Sequence, residues 1–181
     1  MKLNNLIFTA LAGFSIILAG CQNNDENEQH YDNKLFISAS NFTKEILFKA
    51  GDTNVETGLS VAIAKPEEHD IKVTMSPAPE LLSTYKLAYY DETAVLLSEE
   101  HYSMPETSTT IKSGSIVSPE LPIEFINTGE LDIKTTYVLP VTIKSVEGIG
   151  VLQSAKTYYY VFRGASLINV VCNISRNRAY P

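Results

Sequence analysis

Apolar residues recur at every second position along most of this chain, which is the period of a half-buried β-strand. From Val55 to Ile63 apolar side chains alternate with polar or small ones, and Ile71–Met75 repeats the alternation. A charged turn at 65–70, broken by Pro66, separates the two stretches. We therefore predict that they form a β-hairpin with one face in water.

Short apolar runs separated by turn residues continue to the end of the chain. Further strands are predicted at Leu35–Ile37, Glu45–Phe48, Thr109–Val117, Ile123–Ile126, Tyr137–Ile143, Thr157–Phe162 and Ile168–Ile174. One segment differs, because Leu82, Tyr85 and Tyr89 follow helical spacing and predict a short helix over Glu80–Tyr90. The pattern indicates an all-β fold, an immunoglobulin-like antiparallel β-sandwich with one short helix near 80–90.

The first residues have the organisation of an export signal. Lys2 supplies a positive start, and Leu6–Leu18 is a mostly apolar run, shorter than the roughly 20 residues that cross a bilayer. The sequence Leu18-Ala19-Gly20-Cys21 resembles the lipobox of bacterial lipoproteins. We therefore predict a signal peptide over 1–20 and lipid on Cys21, which together with a second acyl chain anchors the protein in a membrane.

Residues 21–33 are polar and acidic, and they are predicted to form a flexible tether with no apolar surface to bury. This stretch is similar to the acidic segment of surface-exported lipoproteins in Bacteroidota, which implies an outer membrane lipoprotein exposed at the cell surface. The formal charge of the chain is −7, which argues against a nucleic-acid partner. Because Cys21 is used by lipid, Cys172 has no disulfide partner and is interpreted as a small buried hydrophobe.

No sequence motif indicates a catalytic centre, a metal or a cofactor. The histidines His30, His69 and His101 are scattered and lack the spacing of metal ligands. Calcium-loop, nucleophile-elbow and phosphate-loop motifs are missing as well. A pair of glycosidase carboxylates can come together in space without a motif, but a compact sandwich of this size offers little cleft. We expect that the domain is not an enzyme.

Tyrosine is the residue type with the clearest binding potential, because an aromatic ring can lie under the apolar face of a sugar. The candidate carbohydrate contacts are Tyr89, Tyr90, Tyr102, Tyr158 and Tyr160. In the last strand Tyr158 and Tyr160 share one face and Tyr159 lies on the other, so one face is core and the other is open to serve as a platform. A purely structural role competes with binding, since the chain has no tryptophan and tyrosine is common in strands.

The stretch Tyr137-Val138-Leu139-Pro140-Val141-Thr142-Ile143 is similar to the Tyr-x-Leu-Pro-Val-x-Ile strand of a family of N-terminal domains of unknown function in Bacteroidota surface lipoproteins. The resemblance covers roughly 36–163 and includes the tyrosine-rich last strand. It implies an immunoglobulin-like sandwich placed between a lipid anchor and a C-terminal partner. Such partners are laminin-G or concanavalin-like modules, or a family-eighteen endo-β-N-acetylglucosaminidase acting on N-glycans. The resemblance carries over no catalytic residue.

These inferences divide the chain into a signal peptide (1–20), a tether (21–33), a β-sandwich domain (34–164) and a junction or the start of a downstream domain (165–181). The predicted function is that of a non-catalytic surface module in a glycan-binding and utilisation system, acting as a spacer or an auxiliary carbohydrate-binding domain. The alternative is a fimbrial or adhesin-type subunit, in which the strand Leu167–Ile174 completes the sheet of a neighbour.

Overall fold

The computed structural model describes residues 32–165, and within this range the chain forms short strands with a single α-helix. The strands are β1 (Lys34–Ile37), β2 (Thr43–Phe48), β3 (Val55–Leu59), β4 (Val61–Ala62), β5 (Ile71–Pro77), β6 (Val95–Leu96), β7 (Tyr102–Ser103), β8 (Ser108–Ile111), β9 (Leu121–Phe125), β10 (Tyr137–Val146), β11 (Gly150–Val151) and β12 (Thr157–Gly164). The helix α1 spans Leu82–Tyr89. Short 3₁₀ helices lie at Pro79–Leu81, Glu99–His101, Thr128–Glu130 and Gln153–Ala155.

The strands form two layers. One layer is a large sheet in the order β2-β12-β10-β5-β8, and β6 also pairs with β10. The other layer consists of two smaller sheets, β3-β9-β7 and β11-β1-β4. Most neighbouring strands pair in antiparallel fashion. Three pairs are parallel: β2 with β12, β6 with β10, and β1 with β11. The predicted sandwich is confirmed, with parallel pairs added to the antiparallel arrangement.

Alternate side chains of both layers meet in one apolar core, which includes Phe48, Phe125, Tyr160 and Phe162. The ring centroids of Phe125 and Phe162 are 4.6 Å apart, and those of Phe125 and Tyr160 are 5.2 Å apart. Close contacts between tilted or edge-on rings stabilise a core beyond the apolar area that they bury.

The helix α1 covers the outer face of the large sheet. Tyr85 of the helix packs with Val138 of β10 and with Tyr159 and Val161 of β12 in a second apolar cluster. The strand β12 is therefore buried on both faces, because alternate residues point into the main core or under the helix. This covering helix is the third layer of the fold.

Pro140 lies in the middle of the central strand β10, where a proline normally removes a hydrogen bond of the sheet. Its carbonyl accepts from the N–H of Ala78, just beyond the end of β5. On the same side of β10, the carbonyl of Val138 accepts from the N–H of Leu97, which lies just beyond the end of β6. The ring of Pro140 thus lies at the gap between β5 and β6, where β10 needs no donor.

The predicted hairpin of Val55–Ile63 with Ile71–Met75 is wrong. The first stretch divides into β3, which pairs with β9, and β4, which pairs with β1. The second stretch is β5, which pairs with β10 and β8 in the other layer. The buried face follows the prediction, whereas Ala62, predicted on the wet face, is buried as well. Alternation defines the faces of a strand and not its neighbours.

The predicted strand Thr109–Val117 is shorter in the structure. Strand β8 ends at Ile111, because the chain then turns at Gly114 with a φ of 78°. Asn33, placed in the tether by the sequence, belongs to the folded part, since its side-chain oxygen accepts from the N–H groups of Ala64 and Lys65. The predictions for the signal peptide, Cys21, Cys172 and Ile168–Ile174 concern residues outside the described range. Among residues 32–165, no helix is long and apolar enough to cross a bilayer.

Candidate functional site

The five tyrosines predicted as sugar contacts do not lie together. Tyr160 is fully buried and Tyr158 is 8% exposed, and both belong to the core between the layers. Tyr102 is half-buried on β7, where it pairs with Phe125 and packs against the same core. A ring whose faces are covered by other side chains cannot stack on a ligand. The last strand therefore offers no platform on either face, because the helix covers the face opposite the core.

Tyr89 and Tyr90 lie together at the C-terminal end of α1. The ring of Tyr89 stacks on Tyr85 with centroids 4.9 Å apart, and it meets Tyr159 edge-on at 6.0 Å. Tyr85 and Tyr159 are largely buried, whereas Tyr89 is 42% exposed. Buried rings thus hold one side of Tyr89 and leave its other side toward solvent.

Tyr90 combines unusual backbone geometry with nearly complete exposure. It is the C-terminal cap of α1, with φ 54° and ψ 34°, and its N–H donates to the carbonyl of Lys86. Helices commonly end in this left-handed conformation, but the residue there is usually glycine or asparagine, because a larger side chain costs about 1–2 kcal/mol. The side chain of Tyr90 is 93% exposed and gains little from packing in return. A strained residue without a packing role is a reason to look for a function.

An open depression of about 660 Å³ adjoins Tyr90 and is within the size range of small-molecule sites. Its apolar part is formed by the Tyr90 ring and by Leu87, which is 78% exposed. Its polar part consists of the side chains of Ser83, Lys86 and Glu92. We call these five residues the helix-end surface. An aromatic ring beside a hydroxyl, an ammonium and a carboxylate matches a ligand that has one apolar face and a rim of hydroxyl groups.

Arg163 joins the end of the helix to the sheet. Its Nη2 lies 3.5 Å from the carboxylate of Asp91, and its Nε lies 3.7 Å from that of Glu45 on β2. Burial raises the pKa of Tyr85, and a hydrogen bond from Arg163 acts in the opposite direction. Burial also raises the pKa of Tyr159. Both phenols are therefore neutral near pH 7, and the charges of this region come from acidic and basic side chains.

A smaller depression lies on the outer face of β3 and β9. It is lined by Glu56, Glu120 and Glu124 around Gly58, and Glu56 lies directly opposite Glu124 on the neighbouring strand. Like charges in this position destabilise a sheet. Within residues 32–165, no group of three or more histidine, cysteine, aspartate or glutamate side chains is placed to hold a metal ion. We assign no function to this acidic groove.

Four residues of the helix-end surface were not predicted from the sequence: Ser83, Lys86, Leu87 and Glu92. A signal was available, because the predicted helix places Leu82, Tyr85 and Tyr89 on its apolar face. Leu87 falls outside this helical spacing, and a large apolar residue on the outer side of a surface helix is a candidate contact.

The sequence model of a family described as "-like, N-terminal domain" matches residues 31–150, which is well over half of the chain. The chain belongs to this family of N-terminal domains. The resemblance inferred from the strand around Pro140 is therefore confirmed. The family match covers the described strands from β1 to β10 and ends at the start of β11, so β12 lies beyond it. No curated protein matches the sequence.

Solved structures from Bacteroides share the fold of this family member. A candidate carbohydrate binding protein from Bacteroides ovatus has a TM-score of 0.64 and 18% identity over 72% of this chain and 36% of its own. Bacteroides thetaiotamicron EndoBT-3987, solved with a Man5GlcNAc product, has a TM-score of 0.60 and 19% identity over 72% of this chain and 30% of its own. A multidomain protein including DUF1735 from Bacteroides ovatus has a TM-score of 0.52 and 21% identity over 72% of this chain and 43% of its own.

At these identities the likeness shows the fold alone. The chain spans roughly a third to under half of the length of these three structures. Their names therefore describe proteins that contain substantial regions beyond the part shared with this family.

Proposed function

We propose that this chain is a non-catalytic, lipid-anchored surface module of a glycan-binding and utilisation system. Lipid on Cys21 would hold it in the outer membrane, and the tether would place the sandwich above the surface. The domain acts as a spacer for a lectin-like or glycoside hydrolase partner and adds a weak saccharide contact of its own. The observation that carries the binding part is Tyr90, an exposed aromatic residue kept in a strained backbone position.

The chemistry of the helix-end surface supports a saccharide ligand. The Tyr90 ring and Leu87 provide an apolar patch for the C–H face of a pyranose, and Lys86, Ser83 and Glu92 supply donors and acceptors for hydroxyl groups. Because one flat ring is exposed and the depression is open, we expect weak binding, with affinity that depends on additional contacts by a partner domain. The structural neighbours support the glycan context, since one is named for carbohydrate binding and another was solved with a glycan product.

The test is glycan binding by residues 22–181, measured on an array and by calorimetry, with Tyr90→Gly as the main variant. We expect binding to fall at least about tenfold, because the stacking surface is lost. We also expect the free energy of unfolding to rise by about 1 kcal/mol, because glycine adopts the left-handed conformation without strain. A gain in stability together with a loss of binding separates a functional residue from a structural one.

Two control variants complete this test. Tyr90→Phe keeps the ring and should retain most of the binding, whereas Leu47→Ser removes an exposed apolar side chain from β2 and should leave binding unchanged. Unaltered glycan affinity in Tyr90→Gly, measured for a ligand that the unmodified chain binds, would remove the helix-end surface from the proposal. If the unmodified chain binds no glycan, only the spacer role is left.

A further inference from the structure

Strand β2 forms one edge of the large sheet, and no strand among residues 32–165 pairs with its outer side. The carbonyl of Phe48 accepts a hydrogen bond from the N–H of Ala165, so the even-numbered peptide groups of β2 face β12. Successive peptide groups of a strand point to opposite sides. The backbone groups directed away from the sheet are those of Thr43, Glu45 and Leu47.

This edge has the properties of a docking site for another strand. The strand is six residues long, and the N–H and C=O groups of every second residue point away from the sheet. Leu47 is 64% exposed, and Phe42, just before the strand, is half exposed. A row of free backbone groups beside exposed apolar side chains is a template for strand addition.

The chain supplies a matching segment close to this edge. Strand β12 ends at Gly164, and the bond of 2.7 Å from Ala165 to Phe48 holds the chain beside the end of β2. The position one strand beyond β2 is about 10 Å from β12. Three extended residues reach that far, and Leu167 is three residues after Gly164, the last residue of β12.

The sequence of this segment has the composition of a strand. It contains no charge, proline or glycine, and four of its eight residues are valine or isoleucine. In a strand, the even-numbered residues of this segment lie on one face, and all four are apolar: Ile168, Val170, Cys172 and Ile174. The other set contains both asparagines, Asn169 and Asn173. This second set also contains Leu167 and Val171, so the segment has one fully apolar face and one mixed face.

The geometry points to Leu167–Ile174 of the same molecule adding to the outer edge of β2, antiparallel to it. The apolar set then lies on the core face beside Ile46 and Phe48. The other set lies on the outer face beside the exposed Leu47, where Leu167 and Val171 pack and the asparagines face solvent. This arrangement closes the edge of the large sheet with the chain's own continuation. The docked strand is independent of the helix-end surface and of the glycan contact proposed there.

The experiment uses residues 22–181, in which Cys172 is the single thiol. We expect Cys172 to react with a thiol reagent at least about tenfold more slowly in buffer than in denaturant, because a docked strand must open first. The amides of Thr43, Glu45 and Leu47 should exchange slowly by NMR. Val170→Asn should accelerate the thiol reaction and the exchange of these three amides. Its matched control, Asn169→Ser, should leave both unchanged.

The amides of Tyr159 and Val161 in β12 report whether each variant keeps the fold. Fast thiol reaction in buffer, with fast exchange along β2, overturns the proposal. Protection that rises with protein concentration and accompanies a dimer or polymer also overturns it, because the edge then receives the segment of another copy. Such assembly would favour the fimbrial alternative.

Discussion

Replacing Tyr160 with alanine is expected to lower the free energy of unfolding by about 3–5 kcal/mol, as for other large aromatic residues in cores. The ring is fully buried and packs against Phe125 and Tyr158 at centroid distances of 5.2 and 5.1 Å. Alanine leaves a cavity that residues from two layers line, and rigid strands close it only in part. Urea or thermal unfolding measures the loss.

The same chemical change at Tyr90 is the matched control. Its ring is almost entirely exposed, so Tyr90→Ala should change stability by less than about 0.5 kcal/mol. The two variants should therefore differ by several kcal/mol, and similar values would contradict the burial described here. Alanine at Tyr160 must not be used as a test of glycan binding, because loss of the fold would look like loss of a contact.

Tyr160→Phe separates the ring of this residue from its hydroxyl. The hydroxyl is buried without a hydrogen-bond partner of acceptable geometry among the described residues. Burial raises the pKa of Tyr160 well above its usual range, and the nearby Thr57 offsets only a small part of this. An unsatisfied buried hydroxyl costs about 1–3 kcal/mol, so phenylalanine should equal or exceed tyrosine in stability. A loss above about 1 kcal/mol would show that the hydroxyl bonds to Thr57.

Gly129→Ala is expected to cost about 2–4 kcal/mol, because there is no space for a methyl group at this position. A Cβ there would collide with the backbone nitrogens of Gly51 and Asp52. The two loops are tied together, since Gly129 donates to the carbonyl of Asp52 over 3.1 Å and accepts from Gly51 over 3.4 Å. The buried Thr128 hydroxyl adds a bond of 2.8 Å to the carbonyl of Thr53. Alanine must push the loops apart, and these bonds weaken.

Gly150→Ala is the matched control for this substitution. A Cβ at Gly150 would meet no atom within 4 Å, and its backbone is not left-handed. We expect its unfolding midpoint to stay within a degree or two of the unmodified chain. Equal midpoints for Gly129→Ala and Gly150→Ala would mean that the loop 51–52 moves freely away from Gly129.

The sequence predicted where strands form better than how they pair. Alternation from Val55 to Ile63 identified the buried face correctly, because the period of side chains is a local property of the strand. It did not reveal that β3 and β4 join different sheets, because any strand with one apolar face satisfies the same pattern. The short helix was found because Leu82, Tyr85 and Tyr89 recur at helical spacing and so define one face of a helix.

The sequence also could not show which of the candidate tyrosines are exposed, because exposure depends on what packs over each strand. Tyr158, Tyr159 and Tyr160 occupy both faces of one strand, and alternation alone implied that one face was free. The helix covers that face, and only the three-dimensional arrangement shows it. Tyr90 looked like any other tyrosine in the sequence, because its distinguishing property is a backbone angle.

Pro140 has a consequence for how this fold can vary. Strand β5 ends on one side of Pro140 and β6 begins on the other. The chain between Ala78 and Ala94 therefore leaves the sheet and returns to it without pairing with β10 at the proline. The length and outer surface of this excursion can change while every strand keeps its register, provided that Tyr85 still covers Val138 and Val161. The segment that carries Tyr90 can therefore be replaced without changing the sheet. Loop grafting or selection in this segment is a route to new ligand specificity.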